Sequence, residues 1–209
     1  TWIDRGYAAS MAWIDRTVEK RSDPRLVLPG ARSVIAVAVN YYTPHSHSDH
    51  PGTGKISRYA WGDDYHDILG KKLELLRRWL LGECPETEGR FYTDTGPVLE
   101  KAWAQRAGIG WLGKHGNVIT PDQGSWVFLG ELITTLDLPY DTPATDHCGT
   151  CTLCLAACPT GAIVEPYVVD SARCLSYLTI EHRGDLPEGL KPHFDGWIYG
   201  CDICQDVCP

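Results

Sequence analysis

Apolar and polar positions follow several distinct rhythms along the first two-thirds of the chain. Residues 7–20, YAASMAWIDRTVEK, bring Ala8, Met11, Ala12, Ile14 and Val18 round at near-helical spacing, which predicts an amphipathic helix. Residues 31–42, ARSVIAVAVNYY, are continuously apolar and β-branched, the pattern of a buried central strand. Over 63–81, DDYHDILGKKLELLRRWLL, the residues Ile68, Leu69, Leu73, Leu76 and Leu80 share one face and basic side chains gather toward the end, so the best helix of the chain is expected there. RFYTDT reads as a short strand, and GPVLEKAWAQRAG as a helix with Pro97 near its start and Gly108 past its end. GNVITPDQGSWVFLGELITT predicts two antiparallel strands joined around residues 121–124. These elements add up to an α+β sandwich on an antiparallel or mixed sheet. No GxGxxG follows a strand and no GxxxxGK[ST] occurs, so nothing supports Rossmann-type or P-loop nucleotide binding.

Beyond about residue 142 the periodicity gives way to cysteines, which predicts a first domain over 1–142 and a smaller one over 143–209. A chain of 209 residues can bury one good core plus a small module held together by something other than apolar burial. With 43% hydrophobic and 22% charged residues, neither disorder nor a fibrous repeat is expected. The longest strongly apolar run, 34–39, is far too short to cross a bilayer and the first residues lack the features of a secretory leader, so a soluble cytoplasmic monomer away from membranes is expected. The sequence starts without Met and stops at Cys208-Pro209, directly after a cysteine motif, so a longer parent chain is expected. A net charge of −8 is opposite to that of a protein gripping phosphate backbones by itself, so any nucleic-acid partner is held by a local patch or a further segment.

Of nine cysteines, only Cys84 precedes residue 147, and it reads as a free surface thiol beside Pro85. Disulfides are a poor match for neighbours two residues apart. Zinc is the stronger competitor, since C-x2-C pairs can close a tetrahedral thiolate site. The run Cys148-x2-Cys151-x2-Cys154-x3-Cys158-Pro159 decides for iron: it is the bacterial ferredoxin spacing, in which three close cysteines ligate one [4Fe-4S] cube and the fourth reaches a second. Cys201-x2-Cys204-x3-Cys208-Pro209 forms the second half-site but lacks its own leading cysteine, for which Cys174 is the remaining candidate in this region. By analogy with that crossed wiring, Cys148, Cys151, Cys154 and Cys208 are expected on one cube and Cys158, Cys174, Cys201 and Cys204 on the other. Two adjacent cubes move electrons singly over short hops, and a bare ferredoxin would need only this segment. The residues before it supply a docking platform or the place where the electrons are used.

Three features of the first domain could carry chemistry. His45, His47 and His50 lie in a polar Pro/Gly loop over 43–55, a composition that is mostly just solvated. Asp94 falls at a strand-to-helix junction, where it either projects into an active site or caps the following helix. GIGWLGKHGNVI packs Gly108, Gly110, Gly113 and Gly116 into a short stretch, letting backbone approach something large and flat or making a plain turn.

ISRYAWGDDYHDIL (56–69), YTDTGPVLEKAWAQRAGIGWLGKHGNVI (92–119) and the cysteine pattern together resemble the epoxyqueuosine reductases, cobalamin-dependent iron–sulfur enzymes of tRNA queuosine synthesis. The cysteine part is shared with many ferredoxin-like modules, whereas D-T-G-P-V-L-E-K and G-W-L-G-K-x-G-N are far more specific. The resemblance implies a cobalamin-binding, nitroreductase-like α/β sandwich related to that of reductive dehalogenases, joined to a ferredoxin-like domain with two [4Fe-4S] clusters. It implies reduction of epoxyqueuosine in tRNA by cob(I)alamin, with a low-potential donor feeding the clusters and with Asp94 as proton donor. For corrin contacts it implies Ser57, Arg58, Asp94, Asn117, Val118 and Ile119, and no protein histidine on cobalt, which leaves His115 without that role. Full-length relatives continue into a helical-repeat region that helps bind tRNA, so weak, salt-sensitive tRNA binding is expected of this chain. A reductive dehalogenase and a purely electron-transferring module are the rival readings, which D-T-G-P-V-L-E-K and cobalamin content respectively would discriminate.

Overall fold

In a computed structural model that describes residues 1–48 and 50–209, one strand organises the first unit: β6 (Val127–Thr134) is hydrogen-bonded on both sides and buried over its second half. β1 (Ser33–Asn40) runs antiparallel to it from Ser33 opposite Thr134 to Asn40 opposite Val127, and β3 (Gly89–Tyr92) runs antiparallel along its other edge. The apolar run predicted as the central strand is therefore an edge strand. Its side chains are mostly half-buried, whereas the deepest place belongs to VFLGELIT, whose Glu131 breaks the apolar pattern. The strand period of two puts Gly130 and Leu132 on one face of β6 and Glu131 and Ile133 on the other. α3 (Tyr65–Glu83) covers the first face, and does so closely: a Cβ at Gly130 would meet Leu73 at 2.8 Å and Leu69 at 3.1 Å. α4 (Glu100–Arg106) covers the second, where Trp103 packs on a core of Val27, Leu28, Val98 and Ile133. Helix, sheet and helix thus form the expected layers.

Several elements differ from the expectations, each for a visible reason. The helix predicted over 7–20 forms only as two short pieces, α1 (Ala12–Asp15) and α2 (Val18–Ser22), because residues 2–11 follow the cysteine-rich unit instead. There the Trp2 indole donates to the Val169 carbonyl at 2.7 Å, the Ser171 amide donates to the Tyr7 carbonyl at 3.0 Å, and the Ser10 amide donates to the Tyr177 hydroxyl at 3.1 Å. α4 starts three residues after Pro97 because Val98 turns inward to the core. On α3, Leu69, Leu73 and Leu80 are buried as expected, but Ile68 is exposed. The hairpin expected around residues 121–124 does not form. β5 (Val118–Ile119) pairs backward with β4 (Trp111–Leu112), and only a single bridge between Thr120 and Gly124 precedes β6.

The second unit has its own small core of Leu175, Tyr177, Leu178 and Trp197, onto which Met11 and Phe194 also pack. Each cysteine run enters a short helix, α5 (Leu153–Ala157) or α7 (Ile203–Asp206), and the two helices lie against each other, each ending before a Cys-Pro pair. Between them come the hairpin β7 (Ile163–Glu165) and β8 (Val168–Val169), helix α6 (Leu175–Ile180) and strand β9 (Trp197–Tyr199). β9 pairs in parallel with β2 (Lys55–Ile56) of the first unit, clasping the two units together. Among the described residues no helix is long and apolar enough to cross a membrane.

Candidate functional site

The cysteine spacing folds into two nests of thiols. Cys148, Cys151, Cys154 and Cys208 line one cavity of about 270 Å³, together with Trp111, His115 and other residues of the first unit. Burial pushes the Cys208 thiol up, and the charges of Cys148, Cys154 and Cys151 add to it, so the four are electrostatic neighbours. Cys204 is raised by burial and then by Cys201, Cys174 and Cys158, with Cys154 of the first nest adding last, so the two sets lie within electrostatic reach of each other; burial likewise takes Cys201 up to about 12. Cys158 goes the other way. Burial would raise it, but the amides of Ile163, Ala162 and Thr160 and the Thr160 hydroxyl more than offset this; the Ala162 amide donates to its sulfur at 3.2 Å. Among the described residues no three His, Cys, Asp or Glu side chains close on a point as a single metal ion would require. Thiols ringing a space suit a cube better than one tetrahedral ion. The cavity also holds orphans: the Trp111 indole nitrogen and His115 Nε2 are buried without a partner, and both residues line it. Two unpaired donors on residues that line a thiol cavity fit a group that offers sulfur acceptors. Cys84 ends α3, far along the sequence from either nest.

Asp94 follows β3 in a turn, at φ +59, a left-handed conformation uncommon outside glycine and tolerated by aspartate. It does not cap α4, whose N-cap Leu99 receives no side-chain hydrogen bond. Its carboxylate is 62% exposed and lies 3.4 Å from His66 Nε2, while His66 Nδ1 lies 2.7 Å from Asp64. Burial lowers the His66 imidazole, but the hydrogen bonds to Asp64 and Asp94 outweigh it and leave the ring raised. The Asp94 amide donates to Glu100 Oε1. Behind Glu100 stands Glu131, wholly buried, with no N–H or O–H donor on either carboxyl oxygen. Burial first, then the Glu100 charge, push Glu131 up to about 9, and burial also raises Glu100 against the pull of the Asp94 amide. A proton shared between the two carboxyls, with Glu131 as donor, resolves both groups. The acid turn is thus clamped from behind by a buried carboxyl pair.

The remaining residues expected at a corrin divide among three places. Ser57 is buried and donates its hydroxyl to Asp202, itself fully buried. Arg58 is tied to the same carboxylate, by its amide at 2.9 Å and its guanidinium at 3.3 Å, and reaches Asp206 at 2.8 Å. This is a buried joint between the units and not the surface ion pair that Arg58 could otherwise make. Arg58 also lines a cavity of about 460 Å³ walled by Tyr59, Trp61, Tyr65 and Phe128, and its Nε is buried without a partner. Tyr65 connects that cavity to the acid turn: burial first, then the Asp94 charge, raise its phenol. Asn117 accepts from Lys101 Nζ at 2.9 Å, and Val118 and Ile119 are buried in β5, with Ile119 on the thiol cavity. His47 sits edge-on to Trp61 and Trp197, and His45 lines the aromatic cavity, so the histidines of the loop do not gather; Asp49 of that loop lies outside the described residues. His66, Glu100, Glu131, Trp111, Lys114 and Asp202 were not singled out from the sequence, and His115 was weighed only as a cobalt ligand; the glycine-rich motif around Trp111, Lys114 and His115 and the strand position of Glu131 were the signals on offer.

Comparison with known proteins gives this arrangement a family. Residues 21–95 match the family model described as "Epoxyqueuosine reductase QueG, DUF1730", and residues 147–209 match a "4Fe-4S double cluster binding domain". An epoxyqueuosine reductase of Synechocystis sp. is 58% identical over all of this chain and 72% of the relative. Among solved structures, an epoxyqueuosine reductase from Bacillus subtilis, with its catalytic aspartate loop swung out of the active site, superposes with a TM-score of 0.84 at 41% identity, covering 92% of this chain and 52% of that one. An epoxyqueuosine reductase with an epoxyqueuosine-modified tRNA-Tyr stem loop superposes at 0.83 with 38% identity, over 95% of this chain and 58% of that one. The chain therefore spans little more than half the length of these solved relatives. On similarity that runs its whole length, it belongs to the epoxyqueuosine reductase family.

Proposed function

We propose that the chain forms the reducing core of an epoxyqueuosine reductase, converting epoxyqueuosine in tRNA to queuosine. In this reading Cys148, Cys151, Cys154 and Cys208 hold one [4Fe-4S] cluster, Cys158, Cys174, Cys201 and Cys204 hold the other, and an external low-potential donor feeds them. Reducing an epoxide to an alkene takes two electrons and two protons and releases the oxygen as water. The observation that carries the reading is the first turn of α4. Glu100 grips the Asp94 amide, and the charge of the next residue, Lys101, acts on the half-buried thiols Cys174 and Cys204. The first turn of α4 thus carries both the grip on the acid and a charge felt by the second nest.

Cobalamin, when bound, supplies the reducing power at carbon. The aromatic walls Tyr59, Trp61, Tyr65 and Phe128 suit a large flat group, and Arg58, whose Nε is buried without a partner, would offer it a hydrogen-bond donor. Asp94 and Arg58 are then the residues of the expected set that serve it directly, while Ser57 secures the joint below. Asp94 gives its proton to the departing epoxide oxygen. His66, raised and hydrogen-bonded to Asp94, is placed to return a proton to it. The anaerobically loaded chain is expected to convert the epoxyqueuosine of modified tRNA to queuosine by nucleoside mass spectrometry, and Asp94→Asn with full cofactor content is expected not to. Equal conversion by the two proteins would refute the role of Asp94.

A further inference from the structure

We propose that the Trp111–His115 segment of the first unit donates hydrogen bonds to the iron–sulfur cluster of Cys148, Cys151, Cys154 and Cys208 and thereby sets its reduction potential. The inference rests on that nest holding a cluster, and it assigns a task to a glycine-rich motif otherwise expected to contact the corrin. The β4–β5 hairpin turns through residues 113–117 and presents this segment to the cysteine-rich unit. His115 is 5% exposed, and its Nδ1 accepts the Asn117 amide at 3.1 Å. Because Nδ1 accepts, the ring carries its proton on Nε2, which is therefore a donor. That Nε2 is buried without a partner, on a residue lining the thiol cavity.

The Trp111 indole repeats the pattern. It can only donate, its nitrogen is buried without a partner, and it lines the same cavity. Gly113 fixes the geometry between them, since a Cβ there would meet Ile119 at 2.6 Å and His115 Cε1 at 3.0 Å. Lys114, 8% exposed, anchors the segment to the cluster loop by donating to the carbonyls of Gly149 at 2.6 Å and Cys151 at 2.8 Å. Buried donors without acceptors are rare in folded proteins, and two on residues lining one thiol cavity point to sulfur as the missing acceptor. An N–H directed at cluster sulfur stabilises the reduced, more negative state, so it raises the potential. A residue of the first unit thus adjusts how readily the neighbouring unit releases its electron.

The test is an EPR-monitored redox titration of the reconstituted chain, with iron and sulfide content measured on each sample. Trp111→Phe keeps the ring and removes the N–H; His115→Phe removes the imidazole donor; His115→Gln returns an N–H at similar reach. With full iron, each Phe variant is expected to shift one midpoint to more negative values and leave the other unmoved. His115→Gln is expected to recover the shift, and pulsed ENDOR to lose an exchangeable-proton coupling in each Phe variant. Should His115→Phe lose iron, Trp111→Phe decides by the same criterion. Full iron with both midpoints unmoved overturns the inference and leaves the cluster reading intact. Wild-type protein that takes up no [4Fe-4S] cluster overturns both.

Discussion

Replacing Glu131 with Gln isolates the buried carboxyl pair behind the acid turn, because Gln keeps the shape, still donates to Glu100 and cannot titrate. Free glutamate titrates near about 4.3, whereas Glu131 in the fold is pushed up to about 9 by burial and Glu100. Between those values the native state holds a proton that the unfolded chain has released. A raised carboxyl contributes fully below its unfolded pKa and loses that contribution as pH climbs to its folded one. Native stability therefore falls by about 1.4 kcal/mol per pH unit across the window. From pH 5.5 to 8.5 the wild type is expected to lose on the order of 4 kcal/mol relative to Glu131→Gln. For a chain of this size each kcal/mol moves Tm by roughly 2–4 °C. Anaerobic scanning calorimetry of the two loaded proteins at matched scan rates measures the difference, and every pH effect they share cancels. Parallel Tm curves across the window would show that no proton is stored in the pair.

Asp94→Asn, with both clusters and cobalamin present, is expected to lower single-turnover queuosine formation by about 100- to 10,000-fold, the usual span for losing a general acid. Arg58→Ala leaves the wholly buried Asp202 with the Ser57 hydroxyl and a backbone amide but without its countercharge; a stability loss of about 3–5 kcal/mol is expected by calorimetry, whereas a solvated surface pair would give a small change. Cys208→Ala is expected to lose one cluster and Cys84→Ser none, by iron analysis and Mössbauer spectroscopy; equal iron in the two variants would refute the nests.

How much of this was legible depended on how local the cause was. The cysteine spacing announced two thiol sets because ligand reach is a short-range constraint, and α3 was readable because its buried face recurs every turn. Asp94 could be placed at a strand–helix junction, but its left-handed turn and the Glu100 clamp could not, since they depend on a helix that begins only at Glu100. Glu131 drew no reading of its own within a predicted strand, because its meaning lies in a partner 31 positions earlier. The edge position of β1 followed from competition with β6 for the centre of the sheet, which apolar content alone does not decide. The first residues lost their helix because their apolar side chains found a better surface on the distant cysteine-rich unit. The parallel β2–β9 clasp and the orphaned donors of Trp111 and His115 are likewise products of two units meeting, invisible within either one.

The account turns on electrons stored in the two thiol nests reaching the epoxide beside Asp94. Loaded chain is reduced anaerobically, freed of excess reductant and mixed with epoxyqueuosine-containing tRNA, and the cluster EPR signals and nucleosides are followed together. The account predicts that the reduced-cluster signals decay in step with queuosine formation. Queuosine appearing while both clusters stay reduced, or clusters oxidised with the nucleoside unchanged, would contradict it.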